Sequence, residues 1–207
     1  MPTNPIAGTE GYAEAAESFV RNVERITFTD VHRAILHLLP TRPAHILDIG
    51  AGSGRDAAAF AAMGHQVVAV EPVAALRRLA AAAHASPRIK WLEDSLPELA
   101  CLAGRRDRFD LVMLTAVWMH LDASQRRRAM PTVARLVGAG GALIMSLRHG
   151  PVPAGRRMFD VSADETITLA SREGLALTLR LDNQASAFAR TDVTWTRLAF
   201  ANGPGGF

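Results

Sequence analysis

Three glycines at alternate positions, Gly50, Gly52 and Gly54, follow the apolar run Ala44 to Ile49, and Asp48 stands two residues before the first of them. Such a run reads as a buried strand. The glycines turn it into a helix and let a ligand approach backbone that carries no Cβ. Strand, glycine turn and helix N-terminus together build a nucleotide-type site at the carboxyl end of a parallel strand. Asp48 narrows the choice of ligand. A carboxylate there repels an arriving pyrophosphate and suits a cationic ligand, or one with an ammonium group. The dinucleotide spacing Gly-x-Gly-x-x-Gly also fails, because counting from Gly50 the third position is Arg55. Two more acids end the next two strands. Glu71 is placed to take both hydroxyls of a ribose, and Asp94 to accept from an exocyclic amine of adenine.

The elements that must hold these acids alternate. Strands are expected at 44–49, 66–70, 88–92, 109–115 and 141–147, with helices at 54–63, 73–84, 95–102 and 123–137 between them. That order implies right-handed crossovers and a parallel sheet with helices on both faces, an α/β fold. Gly64 stops one helix, and Gly138, Gly140 and Gly141 stop the long one before Ala142. Upstream, helices are expected around 12–23 and 30–39, the second with Val31, Ile35, Leu38 and Leu39 on one face and Pro40 at its end. Downstream, Ser162-Ala163-Asp164-Glu165 has capping-box spacing for a helix to about Glu173, followed by strands at 175–181 and 193–200. Residues 1–10 are expected to form a loose arm and 202–207 a frayed tail.

At 207 residues and 49% hydrophobic content, one globular domain over 1–207 is expected. Within it, 1–40 would be a helical lid, 44–148 the core that binds the nucleotide-like ligand, and 149–200 the remaining half. The pI of about 9.9 suggests nucleic acid, but the net charge is only +3 and a single one of the 23 basic residues, Lys90, is lysine. With the heavy alanine use this reads as compositional drift rather than a basic face. The clusters Arg105, Arg106, Arg108 and Arg126 to Arg128 read as solvated surface. No apolar run approaches the ~20 residues of a membrane span, and Met1 to Gly11 lacks a signal pattern, so a cytoplasmic protein is expected. One cysteine, Cys101, excludes an intramolecular disulfide and a Cys-based metal cluster.

Four blocks stand in order and in register: Asp48-Ile-Gly-Ala-Gly-Ser-Gly, Glu71-Pro72, Glu93-Asp94-Ser95-Leu96-Pro97 and Phe109-Asp110-Leu111-Val112. Over roughly residues 12–200 the chain resembles the class I S-adenosylmethionine-dependent methyltransferases, in their small bacterial form. The resemblance implies a Rossmann-like three-layer sandwich with a seven-stranded, mostly parallel sheet and an antiparallel last strand. It implies S-adenosylmethionine as cofactor, S-adenosylhomocysteine as product, and no metal. Gly50, Ala51 and Gly52 would lie along the methionine part, which Asp48 would order. Glu71 would hold the ribose, and Pro72 and Leu76 would lie against adenine or sugar. Asp94 would meet the adenine amine, and the N–H of Ser95 or Leu96 a ring nitrogen. Thr115 and Ala116 would lie near the sulfonium. Tyr12 resembles an aromatic that small members place in an N-terminal lid over the cofactor; it reads equally well as a helix-packing aromatic.

The acceptor side is less defined. His120 follows the strand ending near Thr115 and could take a proton from an acceptor, with shaping of the site as its other reading. Trp118 could wall an acceptor pocket or pack in the core. After the fifth strand, His149 could be a base, and Arg148 and Arg157 could bind an acceptor carboxylate or phosphate. The other histidines, His32, His37, His45, His65 and His84, read as structural or exposed. The expected reaction is methyl transfer to oxygen or nitrogen of a small molecule, by a monomer or homodimer. Its rivals are a catalytically silent cofactor-binding scaffold, a methyltransferase acting on RNA or protein, and, disfavoured by Asp48, a nicotinamide-dependent oxidoreductase.

Overall fold

The computed structural model describes residues 6–104 and 108–203. Seven strands form one sheet: β1 His45–Ile49, β2 Gln66–Val70, β3 Ile89–Leu92, β4 Phe109–Thr115, β5 Val137–His149, β6 Leu175–Ala185 and β7 Thr194–Asn202. Their order is β3-β2-β1-β4-β5-β7-β6. The first five pair in parallel, and β7 runs antiparallel between β5 and β6. This is the expected Rossmann-like sheet with its antiparallel last strand. Chain order reverses between β1 and β4, so a crevice opens there at the carboxyl ends of the strands, where open α/β sheets hold ligands.

Strands β1 and β4 are apolar on both sides because both faces of the sheet are covered. Leu47, Val112 and Leu143 face one layer, where they meet Met130 and Val133 of α5 (Ala123–Leu136) and Leu169 of α6 (Ala163–Arg172). Ile46, Leu111 and Ile144, one residue out of phase, face the other layer, with Phe60 of α3 (Arg55–Ala62), Phe28 and Ile35. Asp122 caps α5 in a full capping box with Gln125, and Ser162 caps α6 by accepting from the Glu165 N–H at 3.0 Å. A third cluster joins α1 (Ala16–Val23) to α4 (Ala74–Ala83) through Ala16, Val73 and Leu76, with Tyr12 and Phe19 packed against it.

Several expectations are corrected. Residues 95–102 form no helix but turns ending in a 3-10 segment, Ala100–Leu102. Leu99 takes a left-handed φ of 47°, which a helix cannot continue through. The second N-terminal helix is α2 (Phe28–His32) running into a 3-10 turn, Arg33–Leu38. The glycines at 138, 140 and 141 do not simply stop α5. They lie inside β5, where the pairing with β4 shifts register, and a Cβ on Gly141 would meet the Phe109 carbonyl oxygen at 2.8 Å. Arg126 is buried and bonded to Glu165, with N···O distances of 3.2 and 2.9 Å, so it is no solvated arginine. Arg105 and Arg106 and most of the expected tail lie outside the described residues. The arm expected to be loose is packed from Ile6 onward against the crevice.

Candidate active site

A cavity of about 430 Å³ opens at the strand-order reversal, bounded by the arm, the glycine turn, the carboxyl ends of β1, β2, β4 and β5 and the amino end of the antiparallel β7. Its size suits a small ligand. Asp48, the fourth residue of β1, is 1% exposed, and its Oδ2 has no hydrogen-bond partner among the described residues. Burial pushes its carboxyl well above the usual range, and the neighbouring Asp56 adds to that. The site therefore contains a buried carboxyl oxygen that a donor on a ligand would satisfy, and a cation there would favour its ionised form. Gly50 has φ of 73°, and a Cβ there would stand 2.5 Å from Val117 Cγ2. At Gly54 a Cβ would meet Trp91 and His84 at 3.0 Å, so that glycine serves helix–strand packing rather than ligand approach.

Glu71, at the end of β2, is 4% exposed. Its two oxygens accept from the Gly52 N–H at 2.9 Å and the Val73 N–H at 2.8 Å, which ties the glycine turn to the next strand end. Burial raises its pKa, and those two donors pull it back in part. A carboxylate accepts about four hydrogen bonds, so two sites remain for hydroxyls of a ligand. Asp94 is more committed than expected. It accepts from the N–H groups of Ser95 (2.8 Å), Ala100 (3.1 Å) and Cys101 (2.6 Å). It folds the loop after β3, and the Ser95 N–H is spent on it. Of the two expected backbone donors, Leu96 is the one left to meet a ring nitrogen.

On the other side of the crevice, the 3-10 turn Trp118–His120 follows β4. His120 is 9% exposed, with Nδ1 at 2.8 Å from the Arg157 carbonyl and Nε2 at 3.2 Å from the Tyr12 hydroxyl. A carbonyl only accepts, so Nδ1 carries the proton, Nε2 is bare in the neutral ring, and the Tyr12 hydroxyl donates to it. Burial lowers the pKa of His120, with Arg156 and Arg148 adding to the shift, and burial raises that of Tyr12. Tyr12 lies before α1, not in it. Arg156 covers its ring face at 3.7 Å, and Phe19 meets it edge-on at 5.3 Å.

The structure brings together on this cavity Tyr12, Asp48, Gly50, Ala51, Gly52, Glu71, Pro72, Leu76, Asp94, Ser95, Leu96, Thr115, Ala116, His120 and Arg148. It separates three others. Trp118 is fully buried in the core and does not line this cavity. His149 points away, its Nε2 at 2.9 Å from the Thr196 hydroxyl, because alternation along β5 puts it on the face opposite Arg148. The Arg157 guanidinium turns to Asp122 (3.4 Å) and Glu10 (3.9 Å), and only its carbonyl serves the site, through His120.

Other lining residues were missed. Asp56 accepts from His32 Nε2 at 2.7 Å, Thr115 Oγ1 at 3.0 Å and Arg55 Nε at 2.9 Å. Burial would raise its pKa, but His32 and Arg55 more than offset that and hold it well below the usual range. Thr115 thus spends its hydroxyl on Asp56. Trp195 and Arg197 of β7 pair across from Arg148 and Ser146 of β5, which puts all four on one face at the cavity. Their two-residue spacing on a predicted strand was the available signal. Among the described residues no group of three or more His, Cys, Asp or Glu is placed to hold a metal, and no helix is long and apolar enough to cross a membrane.

This strand order, with a glycine turn after β1 and acids at the ends of β1, β2 and β3, is a Rossmann-like fold, the one found in solved S-adenosylmethionine-dependent methyltransferases. Residues 46–141 match the family model of the methyltransferase domain. Uncharacterized methyltransferases of Mycobacterium bovis and Mycobacterium tuberculosis are 31% identical to it over 117 residues, 53% of this chain. That match spans 42% of the length of those relatives. A TehB-like S-adenosylmethionine-dependent methyltransferase of Corynebacterium glutamicum superposes with a TM-score of 0.69 at 24% identity, covering 92% of this chain and 98% of its own. The 1,6-didemethyltoxoflavin-N1-methyltransferase of Burkholderia thailandensis, solved with 1,6-didemethyltoxoflavin and S-adenosylhomocysteine, gives 0.68 at 18% identity, covering 93% of this chain and 85% of its own.

Proposed function

We propose that this chain transfers a methyl group from S-adenosylmethionine to an oxygen or nitrogen of a small molecule. It would act in the cytoplasm as a monomer or homodimer, with 1–40 as lid, 44–148 as cofactor core and 149–200 as the acceptor half. The observation that carries the reading is the partnerless buried oxygen of Asp48 beside the glycine turn. It fits the ammonium group of a methionine moiety. Glu71 would hold the ribose hydroxyls, the Leu96 N–H and Asp94 the adenine, and Leu76 and Pro72 its apolar surroundings. When bound, the cofactor supplies a sulfonium methyl open to in-line displacement. The protein chiefly aligns the acceptor, and alignment can supply much of the acceleration.

His120 is the base, and it acts through Tyr12. Because the phenol already donates to Nε2, an acceptor hydroxyl or amine gives its proton to the Tyr12 oxygen as Tyr12 passes its own to Nε2. Such a relay contributes roughly 10²–10⁴-fold where the acceptor is protonated at neutral pH. Calorimetric titration tests the cofactor assignment. S-adenosylhomocysteine should bind and NAD should not, and Asp48→Asn should weaken S-adenosylhomocysteine by about 1.5–3 kcal/mol. The same variant should leave 5′-methylthioadenosine, which lacks the amino acid, unaffected. Tight NAD binding without S-adenosylhomocysteine binding would overturn the assignment.

A further inference from the structure

Charge is divided across the crevice. The carboxylates Asp48, Glu71 and Asp94 stand at the ends of β1, β2 and β3, on one side of the strand-order reversal. On the other side the cavity wall carries arginines, Arg148 on β5, Arg197 on β7 and Arg190 in the connection between β6 and β7. Two of these are committed. Arg190 grips Asp192 through Nε (3.0 Å) and Nη2 (2.6 Å), and Arg197 donates to the Val31 carbonyl at 2.7 Å.

Arg148 is different. Its Nη1 makes a long 3.3 Å bond to the Gly150 carbonyl, while Nη2 is shut off from solvent with no partner among the described residues. A guanidinium N–H left so is costly unless a ligand completes it. The surroundings describe that ligand. Trp195 lies directly opposite Arg148 in the β5–β7 register, and Met158 and Phe188 line the same wall. One open edge of a guanidinium among apolar side chains matches a single planar carboxylate on a small apolar body; a phosphate would ask for more donors.

We propose that the methyl acceptor is a small organic acid with an apolar or aromatic body, whose carboxylate is received by Arg148. This rests on the methyltransferase reading above, with the cation-bearing donor on the acidic side of the crevice and the anionic acceptor on the basic side. Burial lowers the Arg148 pKa, Arg190 adds to the shift, and Asp192 offsets it only in part.

The test is by binding. Benzoate, 4-hydroxybenzoate and phenylpropionate, each paired with its neutral amide, are titrated into the protein with and without saturating S-adenosylhomocysteine. At least one acid should bind about ten- to a hundredfold more tightly than its amide. Arg148→Met should erase that preference and Arg148→Lys keep part of it, both with unchanged affinity for S-adenosylhomocysteine. Amides binding as well as acids, an acid preference that survives Arg148→Met, or no acid binding in either state would each overturn the proposal. The cofactor reading fails separately, if S-adenosylhomocysteine itself does not bind.

Discussion

Residue types at the strand ends were legible in the sequence wherever the chemistry is local. Asp48, Glu71 and the glycine turn needed only their spacing, because a strand end fixes where such a side chain must stand. His120 was legible as a residue of the cleft but not as a base of known tautomer. That depends on the Arg157 carbonyl, 37 residues away in sequence, and the Tyr12 hydroxyl, 108 away. His149 and Arg157 were indistinguishable from Arg148 in sequence, and only strand alternation and the competing acids Asp122 and Glu10 separated them. The buried His120 makes a pH prediction. Its pKa is lowered from 6.5, so the unfolded chain binds that proton more readily than the folded one. Its contribution is intact above about pH 6.5 and is lost as the pH falls through the lowered value. The drop in urea midpoint between about pH 7.5 and pH 5 should therefore be smaller in His120→Gln than in the wild type. Equal drops would show that His120 is not held neutral by burial.

Elements were read well where periodicity was strong and poorly where loops carry side-chain bonds. The N-terminal arm shows why. Gly8 and Gly11 hold left-handed backbone that brings the chain across the crevice, and Arg156 fastens it by donating to the Glu10 carbonyl at 3.2 Å and covering Tyr12. None of those contacts has a local signature. Arg156→Ala should release this clasp. Hydrogen exchange of amides over 8–15 should rise by roughly five- to tenfold, the scale of losing a bond and a cation–π contact of about 1 kcal/mol. Exchange elsewhere in the sheet should not change. Unaltered exchange over the arm would mean that Tyr12 and Phe19 hold it without Arg156.

At the scale of the molecule, the cavity is assembled from both halves of the sheet and from the arm, so a ligand there joins parts that are far apart in sequence. S-adenosylhomocysteine at about a hundredfold above its Kd should add about 2.7 kcal/mol to the stability of the folded state. For a chain of this size that is a rise of roughly 5–10 °C in Tm. The rise should shrink in Glu71→Ala, which loses both the ribose ligand and the tie to the Gly52 N–H. A full rise in that variant would place the ribose elsewhere.

The amino-acid sequence by itself determined the first five strands, the parallel crossovers between them and the acid at each of the first three strand ends. Those follow from periodicity, glycine and the position of a residue on its own strand. The tertiary structure alone decided which arginine faces the crevice, which histidine nitrogen is bare, and that His32 and Thr115 serve Asp56 beneath the glycine turn. Each of these depends on pairings between distant segments, where the register of β7 against β5 and the competition among neighbouring carboxylates choose one partner from several of the same chemical type.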